Sequence, residues 1–217
     1  MTNNPVTAAL IGSALALLPP VWVYSRHVVT LVHEAGHALV ALLTGRRLNA
    51  VRLHSDTSGH TISSGRPHGP GMVAMAAAGY LAPAVLGLAC IWLVSSGLTS
   101  WALWAALLTL ALILLYIRNW FGLVVVGLAG GVVAVLIWRT SAEVQDLAAS
   151  IFAWFLLVAA PRTTLDLWSH RRRARTRTTD ADLLARLTRL PAAVWNAFLL
   201  IATLAALAVA VVLLRSA

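Results

Sequence analysis

Three residues of the chain have the types and spacing for metal chemistry: His33, Glu34 and His37, in the order HExxH within VVTLVHEAGHALVALLTG (residues 28–45). On an α-helix, residues four apart lie about 40° apart on one face and one turn apart. Two imidazoles so placed can reach one tetrahedral zinc ion. Glu34, beside them, is placed to take a proton from a water that the zinc activates. Such a hydrolase needs three protein ligands and one open position. A carboxylate or a further histidine from another part of the chain is therefore required.

The remaining acidic residues are Asp56, Glu143, Asp146, Asp166, Asp180 and Asp182. Asp56 lies in a turn-forming loop, and Glu143 and Asp146 fall on the side of the membrane away from the basic loops. Asp166, in APRTTLDLW, sits near the end of an apolar run. It is either a ligand or the ion-pair partner of Arg162, four residues back, or of Arg171. Asp180, in TTDADLL, is either a ligand or part of a helix N-cap at Thr179 or Asp180. Asp166 can reach the histidines if its helix continues past Ser169 and the following arginines snorkel to the lipid surface. Asp180 lies beyond the arginine run and requires the chain to re-enter the membrane. Asp166 is the expected third ligand and Asp180 the alternative.

The elements that hold these residues are membrane elements. The sequence is 60% hydrophobic and only 11% charged, which excludes an ordinary soluble domain. Three polar side chains together on an apolar helix are costly in lipid and usually functional. Apolar runs cover residues 6–24, 28–45, 71–94, 101–117, 121–138, 147–168 and 193–214, and most approach the roughly 20 residues needed to span. The expectation is an all-α polytopic protein of six to seven transmembrane helices, forming a single domain over residues 1–217. The count depends on whether Pro19-Pro20 kinks or ends the first run. That run has no A-x-A cleavage site and reads as retained.

All 16 basic residues are arginine. Placing loops 48–70 and 170–190 in the cytoplasm gathers most of them on one side, which satisfies the positive-inside rule and puts the N-terminus inside. The run RRRARTR (171–177) is accounted for by orientation and by attraction to anionic lipid. It has no interleaved aromatics, so a nucleic-acid partner is not expected. The single cysteine, Cys90, excludes a disulfide framework.

Loop 48–70 alternates in its VRLH segment, turns through DTSG, and can return as a second strand through HTIS. A small β-hairpin after the HExxH helix is expected, and an extended peptide could pair with its edge. His54, His60 and His68 are too widely spaced for a compact ligand set and are expected at the surface. Asn119, in YIRNWFG, could donate a hydrogen bond to a substrate carbonyl or serve the turn between two helices. Gly79 and its small neighbours Ala76, Ala82 and Pro83 are suited to close helix packing.

A membrane helix carrying HEAGHAL resembles the site-2 protease superfamily, most closely its small branch without a PDZ domain. The resemblance extends to AAAGYLAPAVLG, to a late Asp at a span end and to a Thr-Asp-Ala element fourteen residues beyond it, matched here by Asp166 and by Thr179, Asp180 and Ala181. It implies an intramembrane zinc metalloprotease in a bacterial plasma membrane. Zn2+ would be its cofactor, Glu34 its base and transmembrane proteins its substrates. It also implies a late Asp as third ligand, although Leu167 follows Asp166 here where the superfamily usually has glycine. The alternatives are an inactive membrane scaffold, against which the intact Glu34 argues, and a metal-binding transporter. A transporter would carry polar residues along several spans, which this chain lacks outside the motif.

Overall fold

The computed structural model describes residues 5–173 and 178–216. Eight helices and one hairpin follow in the order α1 (Pro5–Leu17), α2 (Pro19–Leu43), β1 (Arg47–Leu53), β2 (Gly59–Ser64), α3 (Pro70–Ser95), α4 (Thr99–Leu114), α5 (Trp120–Arg139), α6 (Ala142–Arg173), α7 (Asp180–Thr188) and α8 (Ala192–Ser216). Of the RRRARTR run, residues 171–173 end α6 and 174–177 lie outside the described residues.

The first two helices correct the boundaries expected from the apolar runs. Residues 6–24 do not form one helix. α1 stops at Leu17, and Pro19 and Pro20 open a new helix that runs unbroken through the HExxH motif, at 95° to α1. Proline lacks an amide hydrogen, so Pro19 and Pro20 cannot continue the ladder of α1, yet both suit the first turn of α2. The carbonyls they leave without a helical donor are Leu15 O and Ala16 O. Ser25 Oγ donates to the first at 2.8 Å, and the Arg162 guanidinium of α6 donates to the second. The guanidinium also stacks over Trp22, 4.2 Å from its ring centroid. Arg162 is thus engaged with the elbow of α1 and α2.

Four helices are long and apolar enough to cross a membrane: α3, α5, α6 up to Ser169, and α8. The bent pair α1–α2 makes a fifth when counted as one span. α4 is apolar but has only 16 residues, about 24 Å of helix against a hydrocarbon core of about 30 Å. The described helices therefore support four to five spans, fewer than the six to seven expected.

α2 packs against α3, and α6 packs against both α1 and α3. The crossing of α2 on α3 is made by small residues. A Cβ added at Gly36 would lie 2.5 Å from Ala82 Cβ and 2.9 Å from Ala78 O, so only glycine permits this approach. The expected close packing by small residues of α3 is thus present.

The hairpin forms as expected, with antiparallel register from Arg47 opposite Ser64 to Leu53 opposite Gly59 and an irregularity at Asn49. Val51 and Leu53 of β1 are buried with Leu31 and Ala38 of α2 and with Ile113, Ile117 and Val126. The far edge of β1 is filled by the chain between α4 and α5. Val51 N–H donates to Tyr116 O at 2.8 Å and Arg118 N–H donates to Val51 O at 3.1 Å. Among the described residues, no strand pairs with the outer edge of β2.

Candidate metal centre

α2 places His33 and His37 on one face, with their Nε2 atoms 3.0 Å apart and their rings edge to face at 4.6 Å. His37 Nδ1 lies 2.7 Å from Met75 O in α3. A carbonyl oxygen only accepts, so Nδ1 carries the proton and Nε2 faces the site. Tyr80 of α3 stands edge-on to His33 at 4.7 Å between centroids. Gly79 lets α3 come this close: a Cβ there would lie 2.6 Å from both Cε1 and Nε2 of His33 and would also strike His37 Nε2.

Asp180 brings a carboxylate oxygen to the same point. Its Oδ2 lies 3.2 Å from His33 Nε2 and 3.3 Å from His37 Nε2. The local sequence explains why this side chain is available. Thr179 takes the N-cap of α7: its hydroxyl oxygen accepts from Asp182 N–H at 3.4 Å, and Asp182 Oδ2 accepts from Thr179 N–H at 3.2 Å. This reciprocal box leaves Asp180 at the first helical position, its carboxylate turned to the histidines. Burial pushes the Asp180 carboxyl up, but the two imidazoles beside it outweigh burial and hold it well below the usual carboxylate range.

Asp166, the ligand expected from sequence, lines the same cavity but does not join the cluster of His33, His37 and Asp180. The geometry brings Asp180, the alternative, rather than Asp166 to the two histidines. α6 does continue through Ser169 to Arg173, as expected, but the chain then returns so that the start of α7 reaches the histidines. The N-cap reading of the Thr179–Asp180 segment and its ligand reading also turn out to be compatible, because the cap belongs to Thr179.

Asn119 is engaged elsewhere. Its Oδ1 accepts from Leu53 N–H at 3.2 Å and its Nδ2 donates to Leu53 O at 2.5 Å. Its amide thus acts like one more residue of strand beside β1, outside the cavity, and is not free for a substrate carbonyl. His54 and His60 sit edge to face at 5.7 Å on the cavity wall, apart from the cluster.

The donor set passes a simple test of fit. Zinc held by nitrogen and oxygen at about 2.0–2.1 Å in a tetrahedron sets its ligand atoms about 3.3 Å from one another. The three edges here are 3.0, 3.2 and 3.3 Å. Two imidazoles and one carboxylate also match zinc in chemical type. Glu34 is 3% exposed and borders the same cavity of about 1130 Å³, with β2 on one wall and α6 and α7 on another.

Residues 6–210 match the family described as Peptidase M50B-like. The chain belongs to this family, within the site-2 protease superfamily. No curated protein and no solved structure matches the chain. Membership of the M50B-like family points to a protease embedded in lipid, and the apolar helices agree that this is an integral membrane protein.

The sequence reading missed four contributors to this site: the Met75 carbonyl, Tyr80, Gly59 and Thr61. Thr61 falls within the expected strand HTIS, a signal the sequence does carry, whereas Gly59 was expected in the turn before it and opens β2. The Met75 carbonyl, a backbone group, has no signal of its own.

Proposed function

We propose that this protein is an intramembrane zinc metalloendopeptidase that hydrolyses peptide bonds in membrane-spanning substrates. The observation that carries the reading is the His33, His37 and Asp180 cluster, closed to 3.0–3.3 Å from two distant parts of the chain, with Glu34 beside it. His33, His37 and Asp180 would hold zinc, with Asp166 across the cavity outside the ligand set. Zinc, when bound, supplies Lewis acidity toward the scissile carbonyl and toward water.

The other tasks fall to the chain. Met75 O orients His37 so that its Nε2 lone pair faces the ion. Glu34 accepts the proton of the attacking water and passes it to the leaving amine. The open edge of β2 takes an extended substrate segment by strand addition, which opens its backbone beside the site. α1 with α2, then α3, α5, α6 and α8, give five spans, and the shorter apolar α4 returns the chain between α3 and α5, with the hairpin and the 170–190 loop on the cytoplasmic side of a plasma membrane of bacterial type.

The test joins metal and turnover. The purified protein is expected to contain about one zinc per chain and to cleave members of a panel of doubly tagged single-span proteins with Gly, Asn or Pro in mid-span. Glu34→Gln should keep the zinc and lose cleavage. Equal cleavage by Glu34→Gln, or full zinc retention by a His33→Ala, His37→Ala double variant, refutes the reading.

A further inference from the structure

Resting on that reading, we propose that Thr61 is a positioning residue: its hydroxyl fixes the Glu34 carboxylate, so that strand β2 sets the orientation of the proton acceptor. Thr61 Oγ1 lies 2.6 Å from Glu34 Oε2 and 3.2 Å from the Glu34 carbonyl oxygen. A carboxylate only accepts, so the hydroxyl donates, and a bond of this length to an ionised oxygen is of the strong, charge-assisted kind.

The other oxygen meets the same face of the same strand. Residues 59, 61 and 63 of β2 point inward while 60, 62 and 64 point outward. A Cβ at Gly59 would lie 2.6 Å from Glu34 Oε1 and 2.9 Å from its Cδ. One carboxylate oxygen is therefore held by a hydroxyl and the other abuts a bare Cα. Ser63, next on this face, accepts from Arg46 Nε at 3.0 Å, which ties the strand to the end of the motif helix.

Behind β2, β1 is anchored through Val51 and through the Asn119 amide on Leu53. The strand that holds Glu34 is thus fixed on one side and open on the other, along the cavity. A peptide seated on that edge and the Glu34 carboxylate share a single reference, so strand pairing and proton transfer are registered together. Thr61 contacts Glu34 and none of the three metal-ligand candidates through a hydrogen bond, which makes its role separable from metal binding.

The test uses the full chain in detergent, loaded with zinc, and the single-span panel protein that the wild type cleaves best. Wild type, Thr61→Val and Thr61→Ser are compared for zinc content, kcat and KM. Thr61→Val should lower kcat at least about 10-fold, with KM within about twofold and zinc unchanged, and Thr61→Ser should recover most of the loss. An unchanged kcat in Thr61→Val, a change confined to KM, loss of zinc, or failure of serine to rescue each overturns the proposal. If the wild type holds no zinc or cleaves nothing, or if Glu34→Gln cleaves normally, the underlying functional reading falls and this proposal with it. If those controls hold and Thr61→Val turns over normally, only the role of Thr61 falls.

Discussion

Replacing Gly79 by alanine adds one methyl group at the point where α3 meets both histidines. That methyl would sit 2.6 Å from His33 Nε2 and Cε1, whereas ordinary side-chain contacts begin near 3.4 Å. Something has to move by roughly 0.8 Å, and the obstructing atoms are ring atoms fixed by the helix and, for His37, by Met75 O. Zinc sites tolerate ligand displacements of about 0.2 Å. The shift is several times that tolerance, so at least one imidazole leaves ligand geometry or α2 and α3 separate. Loss of a supporting residue behind a ligand typically costs 10–100-fold in metal affinity, and direct displacement of a ligand should reach the upper end, about 2.7 kcal/mol. The assay is zinc competition against a chromophoric chelator on purified Gly79→Ala. Gly130→Ala serves as control, because a Cβ at Gly130 meets nothing within 4 Å. The control should bind zinc as the wild type does. Affinity of Gly79→Ala within about threefold of wild type would refute the steric argument and the ligand assignment built on it.

Further expectations follow from the same geometry. Asp180→Asn should strip zinc during dialysis against a chelator, while Asp166→Asn should retain it; the reverse ranking in folded protein would return the third ligand to α6. Asn119→Ala removes two hydrogen bonds to Leu53 and should destabilise the hairpin by about 1–3 kcal/mol, read as faster amide exchange at Leu53 with little effect on α8. Arg162→Met leaves Ala16 O without its donor and should lower the thermal midpoint in detergent by an amount corresponding to about 1–3 kcal/mol, whereas Arg139→Met should not.

The motif helix, the hairpin and the membrane character were legible because each rests on local chemistry. HExxH, the alternation in VRLH and HTIS, and long apolar runs are signals that short windows carry. The helix boundary at Leu18 was legible as a site of trouble but not in its outcome. Two prolines can kink a span or divide it, and the choice depended on whether Leu15 O and Ala16 O find donors in Ser25 and Arg162. That Asp180 rather than Asp166 lies with the histidines was hidden for a related reason. The arginine run before Asp180 argued for Asp166, while the position of Asp180 is set by a tertiary return of the chain and by a cap that Thr179 rather than Asp180 supplies. Asn119 was read as a substrate donor or a turn residue; its partner, a strand end 66 residues away, is invisible to any local window.

The elbow between α1 and α2 has a consequence for biosynthesis. When α1 and α2 first enter the bilayer, Ala16 O has no donor, because Arg162 has not yet been made. An unpartnered carbonyl is expensive in hydrocarbon, so the nascent elbow would shelter near the headgroups or in the translocation machinery. Only the arrival of α6 lets it settle at its final depth. The motif helix would therefore take up its working tilt late in translation, after most of the chain has left the ribosome, and a truncated product ending before α6 would leave the histidines misplaced. Asp180, later still than α6, would join the two histidines only when the chain is nearly complete.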